Sequence, residues 1–444
     1  MVLLLLLPAS SPIHAQDSTF WTRDNLTGDW GGFRTKLTNR GIDFSATYVG
    51  ETFTNTSGGL QRGTTYEDLI SFGLDTDLEK FMGWKGGSFH VSAYQIDDNG
   101  ENAVDLTGSI SDPSSIDAVP TFRLFSLWLE QGLGRVGSAR IGQIAADDEF
   151  FISNTASNLI NSTFGWPNIT AVTMPGGGPA YPLATPGVRL ELDPTENTKT
   201  LWAAFSGDPA GDCPPGQNPQ ICNRHGTTFS FSGGTLFMGE LQYLRNQGDK
   251  AVGLKATYKL GGWYHNGEFA DQEFGVENDG AIVSLALNPP HPLDHRGDWG
   301  IYGIVDQTVW QGKVSSVSLF WRGGVVPPDR NLLSWYMDGG IGIAAPFQSR
   351  PNDVITFGVA YSNISEDAAA LDRATRIISG TPFPIRNQET VFELNYAAQL
   401  APWWTLKPDL QYIVNPGGNV PNPNSPSRTI EDAFLVALRT IVVF

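Results

Sequence analysis

The sequence predicts an all-β fold, a transmembrane antiparallel β-barrel of roughly 16 strands with a short N-terminal helix and long extracellular loops. Three observations predict it. Apolar and polar residues alternate with period 2 in about seventeen segments of about ten residues each, the length a tilted strand needs to cross a bilayer. Connections alternate between short and long, as in a barrel with tight turns on one rim and long loops on the other. Fifty Gly, 25 Phe, 13 Trp and 12 Tyr against 17% charged residues suit short strands and turns better than helices.

Residues 1–15 read as a secretory signal: five leucines, Leu3 to Leu7, precede a small-residue stretch, with cleavage expected after Ala15. Residues 16–41 are expected to form a periplasmic segment with one short amphipathic helix, because Phe33 and Leu37 stand at i, i+4 and Gly41 supplies a stop. The barrel is expected over residues 42–444. Its first strand begins at Ile42, where Phe44, Ala46 and Tyr48 interleave with Asp43, Ser45 and Thr47.

The pattern then repeats. Ile70, Phe72, Leu74 and Leu78 alternate with Ser71, Asp75, Asp77 and Glu79, and Val188, Leu190 and Leu192 alternate with Arg189, Glu191 and Asp193. Val252, Leu254, Ala256, Tyr258 and Leu260 face away from Lys255, Thr257 and Lys259. Trp404, Leu406, Leu410 and Tyr412 face away from Thr405, Lys407, Asp409 and Gln411. An even strand number is expected, and the run Trp263 to Phe269 is the segment that reads as a continuation of its predecessor.

Lys80 to Gly87, Gly132 to Gly134 and Gln311 to Lys313 read as tight turns, and 99–119, 146–186, 207–234 and 366–388 as long loops. The last segment, Phe434 to Phe444, is an apolar strand that would be an aggregation-prone edge unless it closed against the first. Cys213 and Cys222 bracket a turn-rich stretch of an exported chain and are expected to pair.

Several classes are excluded. A net charge of −18 with no basic run argues against nucleic acid. No stretch beyond the leader approaches the ~18–20 apolar residues of a membrane helix. His291 and His295 have i, i+4 spacing, but Pro289, Pro290 and Pro292 forbid a helix and point to a loop. Gly340 to Ala345 resembles a dinucleotide pattern inside an alternating strand, where no helix follows to bind phosphate. No cofactor and no metal is predicted.

Two stretches resemble a known family. Thr27-Gly-Asp-Trp-Gly-Gly-Phe-Arg-Thr-Lys-Leu-Thr-Asn-Arg-Gly-Ile42 is similar to the N-terminal motif of OprB-type carbohydrate-selective porins. Glu389 to Tyr396 followed by Trp403 to Gly418 is similar to their C-terminal hallmark, and Leu127 to Gln131 and Arg140 to Phe150 sit between in the family's order. The resemblance implies a 16-stranded barrel in the bacterial outer membrane that admits glucose and related monosaccharides by passive diffusion, narrowed by inward-folded loops. The 165–186 loop and the Cys-containing loop are where the chain departs from the pattern.

A sugar pore needs polar groups that replace water around hydroxyls. The inward-pointing candidates are Asp75, Asp77, Arg189, Glu191, Lys255, Lys259, Glu393, Lys407 and Asp409, and for each a structural ion pair competes with substrate contact. The segment from Asp147 and Asp148 through Trp166 is the candidate constricting loop, with an extracellular lid as the alternative. Carbohydrate and outer-membrane lipid are the expected partners, and monomer and trimer both stay open. A general small-solute porin, a barrel enzyme and a secreted glycan-binding β-protein are the competing readings; paired carboxylates such as Asp75 and Asp77 are the one foothold for glycosidase chemistry.

Overall fold

In a computed structural model, residues 19–214, 216–247 and 252–444 are described, and the expected leader 1–15 lies outside them. Among the described residues sixteen long strands form one closed antiparallel sheet, to which the three-residue strand Ile282–Ser284 adds by pairing with Phe274–Val276. They are β1 (Ile42–Gly59), β2 (Gly63–Asp77), β3 (Gly87–Asp98), β4 (Thr121–Gly132), β5 (Gly137–Ile144), β6 (Thr185–Thr195), β7 (Thr198–Ser206) and β8 (Thr235–Arg245). Then come β9 (Ala256–Val276), β10 (His291–Gln311), β11 (Ser316–Val325), β12 (Leu333–Ala344), β13 (Val354–Ile364), β14 (Gln388–Ala401), β15 (Trp404–Val414) and β16 (Glu431–Val443). Each strand pairs with its neighbours in sequence, and β16 pairs with β1 from Thr47↔Val443 to Gly59↔Glu431, so the terminal apolar strand has no free edge.

The alternation read from the sequence is the wall's two faces. Along β15, Leu406, Leu410 and Tyr412 point to lipid while Lys407, Asp409 and Gln411 are turned inward. Exposed aromatic rings such as Phe44, Trp84 and Trp310 mark one rim, and Tyr66, Phe122, Trp299 and Tyr412 the other, as in the girdles of outer-membrane barrels.

Trp263 to Phe269 does continue its predecessor: it is the middle of the 21-residue β9, which pairs with β8 and β10 across Gly261 and Gly262 without a break. Three expectations need correction. Val252 and Leu254 lie in the turn before β9. The 366–388 connection contains a 14-residue helix, Glu366–Ser379, because Ser365 caps it, Glu366 and Asp367 favour its first turn and Gly380 in the left-handed region ends it. His291 and His295 lie on the extracellular extension of β10, not in a loop, with His295 bonded to Asp271 at 2.7 Å.

The core lies inside the barrel. The 145–184 connection folds inward, and Phe150, Phe151, Ile160, Phe164 and Ile169 pack against inward residues of the wall, among them Leu236, Tyr302, Phe320, Tyr336, Val391 and Leu435. Phe151 stacks on Tyr302 with ring centroids 4.0 Å apart. A second cluster holds Ile116 and Ala118 of the 99–120 connection against Val49, Leu69, Tyr94 and Phe125. The N-terminal helix Phe33–Thr38 sits at the periplasmic rim beside the seam, where Leu26 N–H donates to the Val443 carbonyl and Phe444 N–H to Ala46.

Candidate functional site

Inward side chains of the wall do two different jobs. On β8 to β16 most of them grip the backbone of the inner loops. Arg322 on β11 is fully buried, pairs with Asp338 on β12 and donates to the carbonyls of Phe151, Thr163 and Gly165 at 2.9–3.0 Å. Glu393 on β14 accepts the N–H groups of Ile160 (2.5 Å) and Asn161 (3.0 Å), Asp306 on β10 that of Thr155 (2.8 Å), and Glu240 on β8 that of Phe151 (3.0 Å). Lys407 Nζ donates to the Asn158 carbonyl at 3.0 Å. Glu389 holds Ile110 and Ser111 N–H, each at 2.8 Å, and Arg439 pairs with Glu51 beside Ser114. A buried loop backbone needs such partners, since an unpaired amide inside a wall costs about 1–3 kcal/mol.

On the periplasmic half of β2 to β7 the inward groups pair mainly with one another and with Glu149 of the inner loop; Asp75 stays half-exposed, whereas His90 and Arg189 are buried. Asp75, its side chain 48% exposed, accepts a hydrogen bond from His90 Nδ1 at 2.6 Å in the Nδ1–H tautomer. The His90 ring stacks on Trp128 at 4.9 Å, and the Arg140 guanidinium lies 3.9 Å from the Trp128 ring centroid. Gly142 faces Trp128 across the β4–β5 pair with φ +149°, and a Cβ there would collide with the Leu127 carbonyl. Arg140 bonds Glu130 at 2.8 Å and reaches Glu149 at 3.3 Å. Arg189 bonds Glu149 and Glu130 at 2.7–2.8 Å and Ser138 Oγ at 2.6 Å. Glu191 pairs with Lys199 at 2.9 Å.

The remaining sequence candidates scatter. Asp77 ends β2 and caps the short Leu78–Met82 helix of a periplasmic turn, accepting Glu79 and Lys80 N–H at 3.1 Å. Lys255 is exposed in the turn before β9, and Lys259 stands 3.6 Å from Glu240. Asp409 accepts from Asn395 and Gln411 at 3.0 and 3.2 Å. Asp147 is buried and takes the Tyr181 N–H at 2.9 Å, whereas its neighbour Asp148 is exposed. Trp166 is buried in the loop core, its Nε1 donating to the Gly177 carbonyl at 3.0 Å. Cys213 and Cys222 are bonded.

A closed wall with inward-folded loops is a channel architecture, and comparison with known proteins decides which. The family described as carbohydrate-selective porin, OprB family, matches residues 61–444. The chain belongs to the OprB family. Porin B of Pseudomonas aeruginosa is 28% identical over 443 residues, covering 93% of this chain and 91% of that protein. The putative porin QuiX of Acinetobacter baylyi is 26% identical over 458 residues, 94% and 93% of the two chains. The high-pH structure of Pseudomonas putida OprB, 24% identical, superposes with a TM-score of 0.83 over 96% of this chain and 100% of that one, which shows the same fold. This OprB-family porin is a carbohydrate channel of the bacterial outer membrane.

Sequence reasoning missed the His90–Trp128–Arg140 stack and the Arg322 and Glu389 grips. The phase of β4 hid the first, because a bulge between Val91/Ala93 and Leu124/Leu127 moves Trp128 onto the inward face out of step with Arg123 and Phe125. The second set carried a signal, a lone charge among apolar strand residues, but nothing local marks a loop as its partner.

Proposed function

We propose that this porin passes monosaccharides such as glucose by passive diffusion along the β2–β7 half of the barrel, between the 145–184 loop and the β3–β6 wall. The supporting observation is the ladder Asp75, His90, Trp128, Glu130, Arg140 and Glu149, which alternates donors and acceptors along an aromatic rail. Such groups can replace hydration around sugar hydroxyls, with Arg140 and Arg189 offsetting Glu130 and Glu149. Residues 16–41 serve as the periplasmic segment and 42–444 as the barrel, and the 147–166 segment narrows the passage.

The protein acts as a channel without catalysis. Asp75 is engaged by His90 and Asp77 by a helix start, so the one carboxylate pair that could imitate a glycosidase has other partners. Single-channel recording in a planar bilayer tests the proposal: glucose should reduce open conductance in a concentration-dependent manner. Conductance steps indifferent to every sugar would sink it in favour of a general small-solute porin.

A further inference from the structure

β1 pairs with β2 from Ile42↔Thr76 onward, but with β16 only from Thr47↔Val443. Residues 42–46 therefore run past the last rung of the seam, where the Phe444 N–H reaches the Ala46 carbonyl at 2.9 Å. A ladder that stops short leaves a row of backbone groups as an open edge. Local opening of a structure starts where such hydrogen bonds are few and exposed, so the periplasmic end of the seam is the weak point of the closed wall.

The segment 19–41 lies across that end. Leu26 N–H donates to the Val443 carbonyl at 2.7 Å, and the Arg34 guanidinium to the Phe444 main-chain oxygen at 2.8 Å. Further along, Trp403 in the turn between β14 and β15 donates from Nε1 to the Phe20 carbonyl at 2.9 Å. Its ring meets Phe20 edge-on at 5.0 Å and stacks with Trp21 at 6.0 Å. The segment thus bridges from the β14–β15 turn over the end of β16 to β1. Its sequence builds the bridge. Asp29 holds the N–H and hydroxyl of Thr35 at 2.8 and 2.9 Å, and the Arg34 guanidinium lies 4.5 Å over the Trp30 ring. Trp30 keeps a left-handed φ of 51° although it is not glycine, a conformation that persists only where surrounding contacts hold it. Gly41, at φ +81°, turns the chain into β1 so close to the Asp77 carbonyl that a side chain would strike it. Trp30 and Arg34 share a hollow with exposed Phe44 and Phe72 of the lipid-facing wall, outside the lumen.

We infer that residues 19–41 are a strap that locks the barrel: they dock after β16 has met β1 and from then on hold the seam shut. The order follows from the contacts, because the surface the strap grips is complete only when Val443, Phe444 and Trp403 stand side by side. Contacts made after the folding barrier slow unfolding and leave the folding rate alone. The strap therefore sets how long the wall stays closed, and neither how it folds nor what it passes.

Unfolding and refolding rates of the full chain in lipid vesicles, with amide exchange, test it. Arg34→Gln removes the contact to Phe444, and Trp403→Phe keeps a ring while removing the contact to Phe20. Each should speed unfolding about fivefold, the worth of one hydrogen bond, and the two together at least tenfold. Refolding rate and sugar-blocked conductance should stay as in the parent, and exchange should quicken at 44–48 and 440–444 ahead of β9 to β13. Lys313→Gln, in the turn between β10 and β11, should change none of these. If one of the two strap variants does not fold, the other decides alone. Unfolding at the parental rate, refolding slowed in step with faster unfolding, or exchange quickened evenly around the wall would overturn the inference.

Discussion

Replacing Arg322 with methionine would leave the Asp338 carboxylate and the carbonyls of Phe151, Thr163 and Gly165 without their shared donor. Breaking a buried pair from one side costs about 3–5 kcal/mol, here drawn from the docking of the loop and not from the hydrogen-bonded wall. Arg322→Met should therefore raise single-channel conductance and admit protease within 145–184 while the barrel keeps its heat-resistant mobility. A second residue-level prediction concerns acid. Asp112 and Asp117, in the inward 99–120 connection, are hydrogen-bonded to each other, and removal from water together with neighbouring carboxylates pushes them up to about 7 and about 10 from 3.8. Carboxyls raised on folding bind protons that the undocked loop releases, so docking is strongest at acid pH and weakens as pH climbs from about 4 through 7. Amide exchange in 99–120, corrected for intrinsic rate, should be faster at pH 8 than at pH 5, and Asp112→Asn should flatten that difference. On the β2–β7 side, Arg140→Ala should shift the reversal potential in a salt gradient towards cation preference, by freeing Glu130 and Glu149, and weaken glucose block about fivefold, the worth of one hydrogen bond of ~1 kcal/mol.

Among elements, the inner loops depend on anchors from several strands and on each other. Arg123 on β4 donates to the carbonyls of Pro182, Gln220, Asn223 and Arg224, joining the 145–184 loop to the disulfide-bearing 207–234 loop. Gly226, at φ +65°, lies so close to the Leu124 carbonyl that a side chain there would displace the loop from the wall. Cys213→Ser with Cys222→Ser should cost this loop about 2–4 kcal/mol of order, read as faster amide exchange across 216–226 with unchanged exchange in β13 to β15. The sequence made strands legible because lipid outside and water or polar loops inside impose period 2 on every crossing. It left the Glu366–Ser379 helix unread, since a capped 14-residue helix inside a polar connection competes with loop composition. It left the roles of Glu393 and Lys407 open between structure and substrate contact, because their partners at Ile160, Asn161 and Asn158 lie more than two hundred residues away.

At the scale of the molecule, closure through β1 and β16 leaves the outer face as a continuous apolar band, and the bilayer enforces it. Leu394 on β14 points into lipid; Leu394→Lys should cost about 2–4 kcal/mol if it sits near the midplane, seen as a lower urea midpoint of the barrel refolded into bilayers. The same closure explains why the family and the barrel were readable from end to end while the passage was not. Alternation reports which face a residue is on, and half of the inner face is taken up by the protein's own chain.

That division has a corollary for change. Arg322, Glu393, Glu389, Lys407 and Arg123 contact main-chain N–H and C=O groups of the loops, which every amino acid presents alike. At those points the wall holds the loop without regard to its side chains, while Phe150, Phe151, Ile160 and Phe164 fix the loop's buried face by packing, so the positions open to exchange are the loop's exposed ones. New loop side chains could be grafted facing the β2–β7 half without redesigning a strand, so the filter can diversify while its housing stands still.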